Sequence, residues 1–190
     1  MRVLQERRPV VSTLTAPDHP VRRRAGLVVA VAAAAAGLDQ VTKTVAISTL
    51  ARGGVLDCAA PDAPPRHAIW TLWWVLTCNS GAAFGLGRGV TPVVEVVVVG
   101  LVAALVVSGR RATGRLQAVG TGLLLGGAVG NLVDRVARGN GGAVIDFIDA
   151  VRVGAHDRWP VFNVADACIV CGAAALAVGW GRRPDAGARG

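Results

Sequence analysis

The sequence predicts an all-α polytopic membrane protein with four transmembrane helices, on three observations. Four long apolar segments run through a 190-residue chain that is 53% hydrophobic and only 17% charged, where soluble domains average about 25% charge. Mean hydropathy is +0.51, which excludes a disordered chain and leaves little sequence for a soluble core. Arginines gather in alternate connections between the segments, the pattern of membrane orientation.

The first segment spans residues 25–50, interrupted by Asp39, Gln40 and Lys43. Arg22, Arg23 and Arg24 before an Ala/Val run resemble the opening of a cleaved signal peptide. The continuation past Lys43 and three further segments favour a retained helix. The others span 92–107, 116–133 and 164–180. A membrane helix takes about 17–25 apolar residues, so the second and fourth are short but sufficient.

Six arginines (Arg2, Arg7, Arg8, Arg22, Arg23, Arg24) precede the first segment; Arg110, Arg111 and Arg115 separate the second from the third; Arg182, Arg183 and Arg189 follow the fourth. Positive residues stay inside, so both termini are expected in the cytoplasm. Residues 1–24, with Pro9, Pro17 and Pro20, read as a disordered cytoplasmic tail and residues 181–190 as a second tail; residues 25–180 form the membrane domain. Orientation thereby accounts for the net charge of +8, and no nucleic-acid partner is expected.

The outer connections, residues 51–91 and 134–163, hold most of the Trp and Asp. His67 to Thr77 mixes β-branched and aromatic residues with polar ones, as short strands do. Gly139-Asn140-Gly141-Gly142 between Val136 and Val144 reads as a tight hairpin-like turn.

Ionisable groups within membrane helices are costly and usually functional. Asp39 lies 14 residues beyond Ala25, about 21 Å along a helix, in the outer half of the bilayer. Lys43 shares its face one turn later; a self-neutralising pair would explain both. In the third segment Gly126, Gly127 and Gly130 offer a thin face for helix packing. Asn131 and Arg135 then share a face at its outer end, where a polar interfacial terminus is the plainer account. Asp146, in Val144-Ile145-Asp146-Phe147, has apolar neighbours on both sides and is expected to be partly buried, with a raised pKa. Asp149 and Asp157 lack such neighbours and read as solvated. Asp166 falls in the first turn of the fourth segment, where an acid also serves as a helix cap. Yet Asp39, Lys43, Asn79, Asn131, Arg135, Asp146, Asn163 and Asp166 all fall near one interface, which separate structural roles would not require.

Two neighbouring carboxylates share a proton and can activate water against an amide without a metal or a covalent intermediate. His19, His67 and His156 lack metal-type spacing with the acids. Cys58, Cys78, Cys168 and Cys171 fit neither a dense disulfide framework nor a zinc ribbon. Cys168-x-x-Cys171 lies among small apolar residues and reads as helix packing rather than a redox motif.

Five blocks occur in order: Leu38-Asp39-Gln40-Val41-Thr42-Lys43; Asn79-Ser80-Gly81-Ala82-Ala83-Phe84-Gly85-Leu86; Gly126 through Val136; Val144-Ile145-Asp146-Phe147; and Phe162-Asn163-Val164-Ala165-Asp166. Together they resemble the lipoprotein signal peptidase (signal peptidase II) family over residues 25–180, and the glycine and arginine content resembles an actinobacterial member. The resemblance implies a monomeric, multi-pass aspartic endopeptidase of the bacterial cytoplasmic membrane with its active site near the outer face. Such an enzyme removes signal peptides from diacylglyceryl-modified prolipoproteins on the amino side of the lipid-bearing cysteine, without metal or cofactor. It implies Asp146 and Asp166 as the catalytic pair and Asp39, Lys43, Asn79, Asn131, Arg135 and Asn163 as supporting, substrate-binding residues. It also implies a small extracytoplasmic β-cradle in the first outer connection and a short outer helix in the second. Cys78 departs from the basic or aromatic residue more usual before Asn79, and the turn at Asn140-Gly141-Gly142 is longer. The rival expectation is a small proton-coupled transporter subunit, which would place its charges nearer the midplane on repeats.

Overall fold

The computed structural model describes residues 24–54, 56–58, 66–69, 72–80, 91–112, 114–150, 152–153, 156–157 and 160–181. The expected tails and the stretch from Gly81 to Leu86 lie outside the described residues, apart from Arg24 and Gly181.

Four helices form where the apolar segments predict them: α1 (Ala25–Leu50), α2 (Thr91–Arg110), α3 (Arg115–Ala137) and α4 (Val164–Gly181). Among the described residues, α1 and α3 are long and apolar enough by themselves to cross a membrane; the apolar stretches of the other two are Val99–Arg110 and Val164–Gly179. Exposed Val29, Leu38, Val41 and Val45 on α1, Val96, Val97, Val99 and Leu101 on α2, and Val170 and Val178 on α4 form apolar outer faces. So much apolar surface suits lipid rather than water.

Helix α3 is central and packs against α1, α2 and α4. Its glycines serve two faces rather than one. Gly122, Gly126 and Gly130 lie against Val31, Ala35 and Asp39, so α1 and α3 run parallel. Gly120 and Gly127 lie against Gly172 and Ala165 of the antiparallel α4. A Cβ on Gly126 would sit 2.6 Å from the Ala32 carbonyl, and one on Gly130 would sit 2.6 Å from the Asp39 carboxylate. Close approach is what these glycines permit.

Beyond the C-terminal ends of α1 and α3 lies an antiparallel sheet of β1 (Arg66–Ile69), β2 (Leu72–Asn79) and β3 (Val144–Asp149), in that order. The cradle thus draws on both outer connections, not the first alone. A further two-stranded pair, β4 (Arg152–Val153) and β5 (His156–Asp157), follows. Among the described residues the second connection holds no helix, against expectation; a short 3₁₀ turn, Arg52–Gly54, lies in the first. The expected hairpin at 139–142 is instead a link from α3 to β3, because Val136 is still helical. Gly139, Gly141 and Gly142 take positive φ there, conformations only glycine adopts without cost. The sheet is anchored by an apolar cluster of Ala46 and Leu50 from α1, Leu76 from β2, and Ile145 and Phe147 from β3.

Candidate active site

Polar side chains meet where α1, α3, α4 and the sheet join. Asn163 is the hub. It caps α4, its Oδ1 accepting the Asp166 N–H at 3.0 Å while Asp166 Oδ2 accepts the Asn163 N–H at 3.1 Å. This is the reciprocal capping box, which satisfies two otherwise unpaired donors of the first turn. The Asn163 amide also donates to Asp146 Oδ1 at 2.6 Å and to Asn131 Oδ1 at 3.1 Å. The second oxygen of each acid is held separately. Asn79 donates to Asp146 Oδ2 at 3.0 Å, and Asn131 donates to Asp166 Oδ1 at 2.9 Å. Asp166 therefore caps its helix and faces the second acid at once, so the two accounts of it coexist.

Burial pushes the Asp146 carboxyl up to about 6; the Asn79 hydrogen bond opposes this, the nearby charge of Asp166 reinforces it, and Asn163 and Lys43 oppose it. A carboxyl so placed holds its proton into the mildly acidic range.

Lys43 stands behind the pair, fully buried. Its Nζ reaches Asp39 Oδ2 at 2.8 Å, Asp134 Oδ2 at 2.7 Å and Asn131 Oδ1 at 3.0 Å. The i, i+4 pair of Asp39 and Lys43 exists, but it belongs to a larger network. The other oxygen of Asp39 accepts the main-chain N–H of Ala165 at 2.9 Å. Asp134 Oδ2 accepts the N–H of Ile145 at 3.1 Å. Each helix acid thus grips the backbone one residue before one of the paired aspartates, and Lys43 joins the two grips. Arg138 completes Asp134 at 2.9 Å and donates to Gln40 Oε1 at 2.6 Å; Gln40 in turn donates to Asp134 Oδ1 at 3.2 Å.

All eight expected residues lie at this end. Arg135 does so least directly, donating to the Asn131 carbonyl at 3.3 Å. Gln40, Asp134 and Arg138 were missed as site residues. Arg138 four residues after Asp134 was the available signal. Asp149 corrects an expectation: it is fully buried, because β3 pairs it with Trp73 of β2, a partner its local sequence does not reveal. Cys58 and Cys78 form a disulfide with a Cα separation of 5.5 Å, which their spacing did not suggest; Cys168 and Cys171 are free. Among the described residues no three His, Cys, Asp or Glu side chains gather as a metal-ligand set.

The chain is similar in sequence and fold to known proteins. Residues 31–180 match the family model described as signal peptidase (SPase) II. The chain is 41% identical over 168 residues to the lipoprotein signal peptidase of Mycobacterium avium, covering 86% of this chain and 84% of that one. It is 40% identical over 167 residues to that of Mycobacterium tuberculosis strain H37Rv, covering 86% and 74%. Among solved structures, a bacterial membrane enzyme determined by the in meso method at 1.9 Å superposes with a TM-score of 0.70 at 26% identity, covering 86% of this chain and 97% of that one. Another, at 2.3 Å, gives 0.67 at 26% identity, covering 84% and 90%. Nothing in these likenesses supports the transporter alternative. With residues 31–180 matching the family model and relatives 40–41% identical over most of the chain, the chain belongs to the signal peptidase II family.

Proposed function

We propose that this protein is an aspartic endopeptidase that removes signal peptides from diacylglyceryl-modified prolipoproteins, cutting on the amino side of the lipid-modified cysteine. The observation that carries the mechanism is Asn163, which hydrogen-bonds Asp146 through its side chain and Asp166 through its main chain. One residue thereby sets the spacing of two carboxylates, as shared-proton chemistry requires.

Asp146, whose proton burial favours, is the acid; Asp166 is the base. Asp166 takes a proton from water, the hydroxyl adds to the scissile carbonyl carbon, and Asp146 gives its proton to the carbonyl oxygen. The resulting gem-diol collapses as Asp166 passes its proton to the departing nitrogen. Asp146 recovers a proton from a diol hydroxyl, and the C–N bond breaks. Asn79 and Asn131 keep both carboxylates oriented through the cycle, with Arg135 steadying the Asn131 main chain.

All four helices cross the cytoplasmic membrane, α1 and α3 outward and α2 and α4 inward, with both termini in the cytoplasm and the site at the outer face. Substrate acyl chains then stay in the bilayer while the amide reaches the acids. The protein acts as a monomer. Incubation of the purified full chain with a diacylglyceryl-modified precursor peptide tests this function. Two products, split before the modified cysteine, are expected; an intact peptide overturns it.

A further inference from the structure

The strand that carries Asn79 lies between two others. Along Leu72, Trp73 and Trp74 it has β1 on one side, and among the described residues β1 pairs with no residue of β2 beyond these. From Thr77 to Asn79 its partners are Asp146, Ile145 and Val144 of β3, the strand that bears the acid itself. This pairing sets Asn79 beside Asp146 but does not by itself tie the end of β2 to α1.

The additional tie is covalent. Cys78 immediately precedes Asn79 and is joined to Cys58, which follows the 3₁₀ turn after α1. Leu56, Cys58 and Cys78 pack on the cluster of Ala46, Leu50, Leu76 and Ile145. The bond thus links the end of β2 to the end of the helix that carries Asp39 and Lys43. We propose that the Cys58–Cys78 disulfide is a positioning element, holding Asn79 in register for its hydrogen bond to Asp146. This rests on the reading of Asp146 as catalytic. Forming the bond takes two electrons and two protons from the two thiols. Thiol oxidants outside the cytoplasm supply that chemistry, and cytoplasmic reductants oppose it.

The charged groups facing Asp146 are Asp166 from α4 and Lys43 from α1, while Asp134 of α3 holds the preceding main-chain N–H. Breaking the disulfide removes none of these and acts on Asp146 through Asn79, whose bond lowers the Asp146 pKa. The limb of the pH–rate profile that reports Asp146 should therefore move upward.

The test uses the full-length enzyme carrying Cys168→Ser and Cys171→Ser, so that only one cysteine pair remains. The folded protein is treated with a water-soluble phosphine, which becomes its oxide as the disulfide is reduced to two thiols. Cleavage of the lipidated precursor is followed before and after. The expected result is no reactive thiol before treatment and two after, with kcat lowered roughly threefold to tenfold, the effect of weakening one hydrogen bond. KM should be unchanged and the Asp146 limb shifted up. In an Asn79→Ala background the same reduction should cost nothing more, since coupled residues are not additive. Two thiols already free before treatment, an unchanged kcat, or an undiminished loss in the Asn79→Ala background would each overturn the proposal. Because reduction is performed on folded enzyme, failure of a Cys58→Ser, Cys78→Ser variant to fold does not bear on the outcome. An oxidised enzyme that never cleaves overturns the proposed function instead.

Discussion

Asp134 is the acid most easily mistaken for half of the proposed catalytic pair, and Asp134→Asn separates the two roles. In the folded protein Asp134 is fully buried, paired with buried Lys43 at 2.7 Å and with Arg138 at 2.9 Å. Removing one partner of a buried ion pair costs about 3–5 kcal/mol. Two features reduce that here. Lys43 retains Asp39 at 2.8 Å, and the Asn carbonyl still accepts the Ile145 N–H. Arg138, at 19% side-chain exposure, recovers hydration. A loss of about 2–3 kcal/mol is expected, which for a chain of this size lowers Tm by roughly 4–12 °C. Thermal unfolding in detergent reads the stability, and cleavage of a lipidated precursor across pH reads the chemistry. Tm should fall and kcat should fall, with both limbs of the pH–rate profile kept. Loss of one limb with Tm unchanged would refute the reasoning and make Asp134 a proton carrier.

Asp146→Asn and Asp166→Asn should each lower the cleavage rate by more than about a hundredfold, the usual worth of acid–base catalysis, while the protein still inserts; retention of more than a hundredth of the rate removes that acid from the role. Burial raises Asp146 from 3.8 to about 6, so the folded state binds its proton more tightly than the unfolded chain does. That stabilisation is complete below pH 3.8 and is lost as pH rises through about 6; Tm measured over this window should decline in the wild type and lie flatter in Asp146→Asn. Single cysteines at Pro64 and Gly141, in a cysteine-free background, should react with an impermeant thiol reagent from outside the cytoplasmic membrane, and those at Thr113 and Gly187 only after lysis. Labelling of Pro64 and Gly141 from opposite sides would dissolve the site.

What the amino-acid sequence determines on its own is the part governed by local periodicity and near neighbours. Apolar runs specify α1 and α4 almost to the residue and α2 and α3 to within four residues, because a helix satisfies its own backbone and needs only a continuous apolar stretch. The i, i+4 spacing of Asp39 and Lys43 specifies their pairing, and Asn163-x-x-Asp166 is a capping signal contained within four residues. The ordered motif blocks identify the eight site residues through resemblance rather than through geometry. What only the tertiary structure decided depends on partners distant in sequence. The Lys43–Asp134 pair joins α1 to α3, and the Ala165 N–H finds Asp39 across the helix interface. Asp149 is buried only because β3 lies against β2, and Cys58 meets Cys78 only once the sheet has docked on the end of α1. Such contacts require the chain to close large loops, and the buried ion pairs among them offset the cost of taking from water charges that, residue by residue, look solvated.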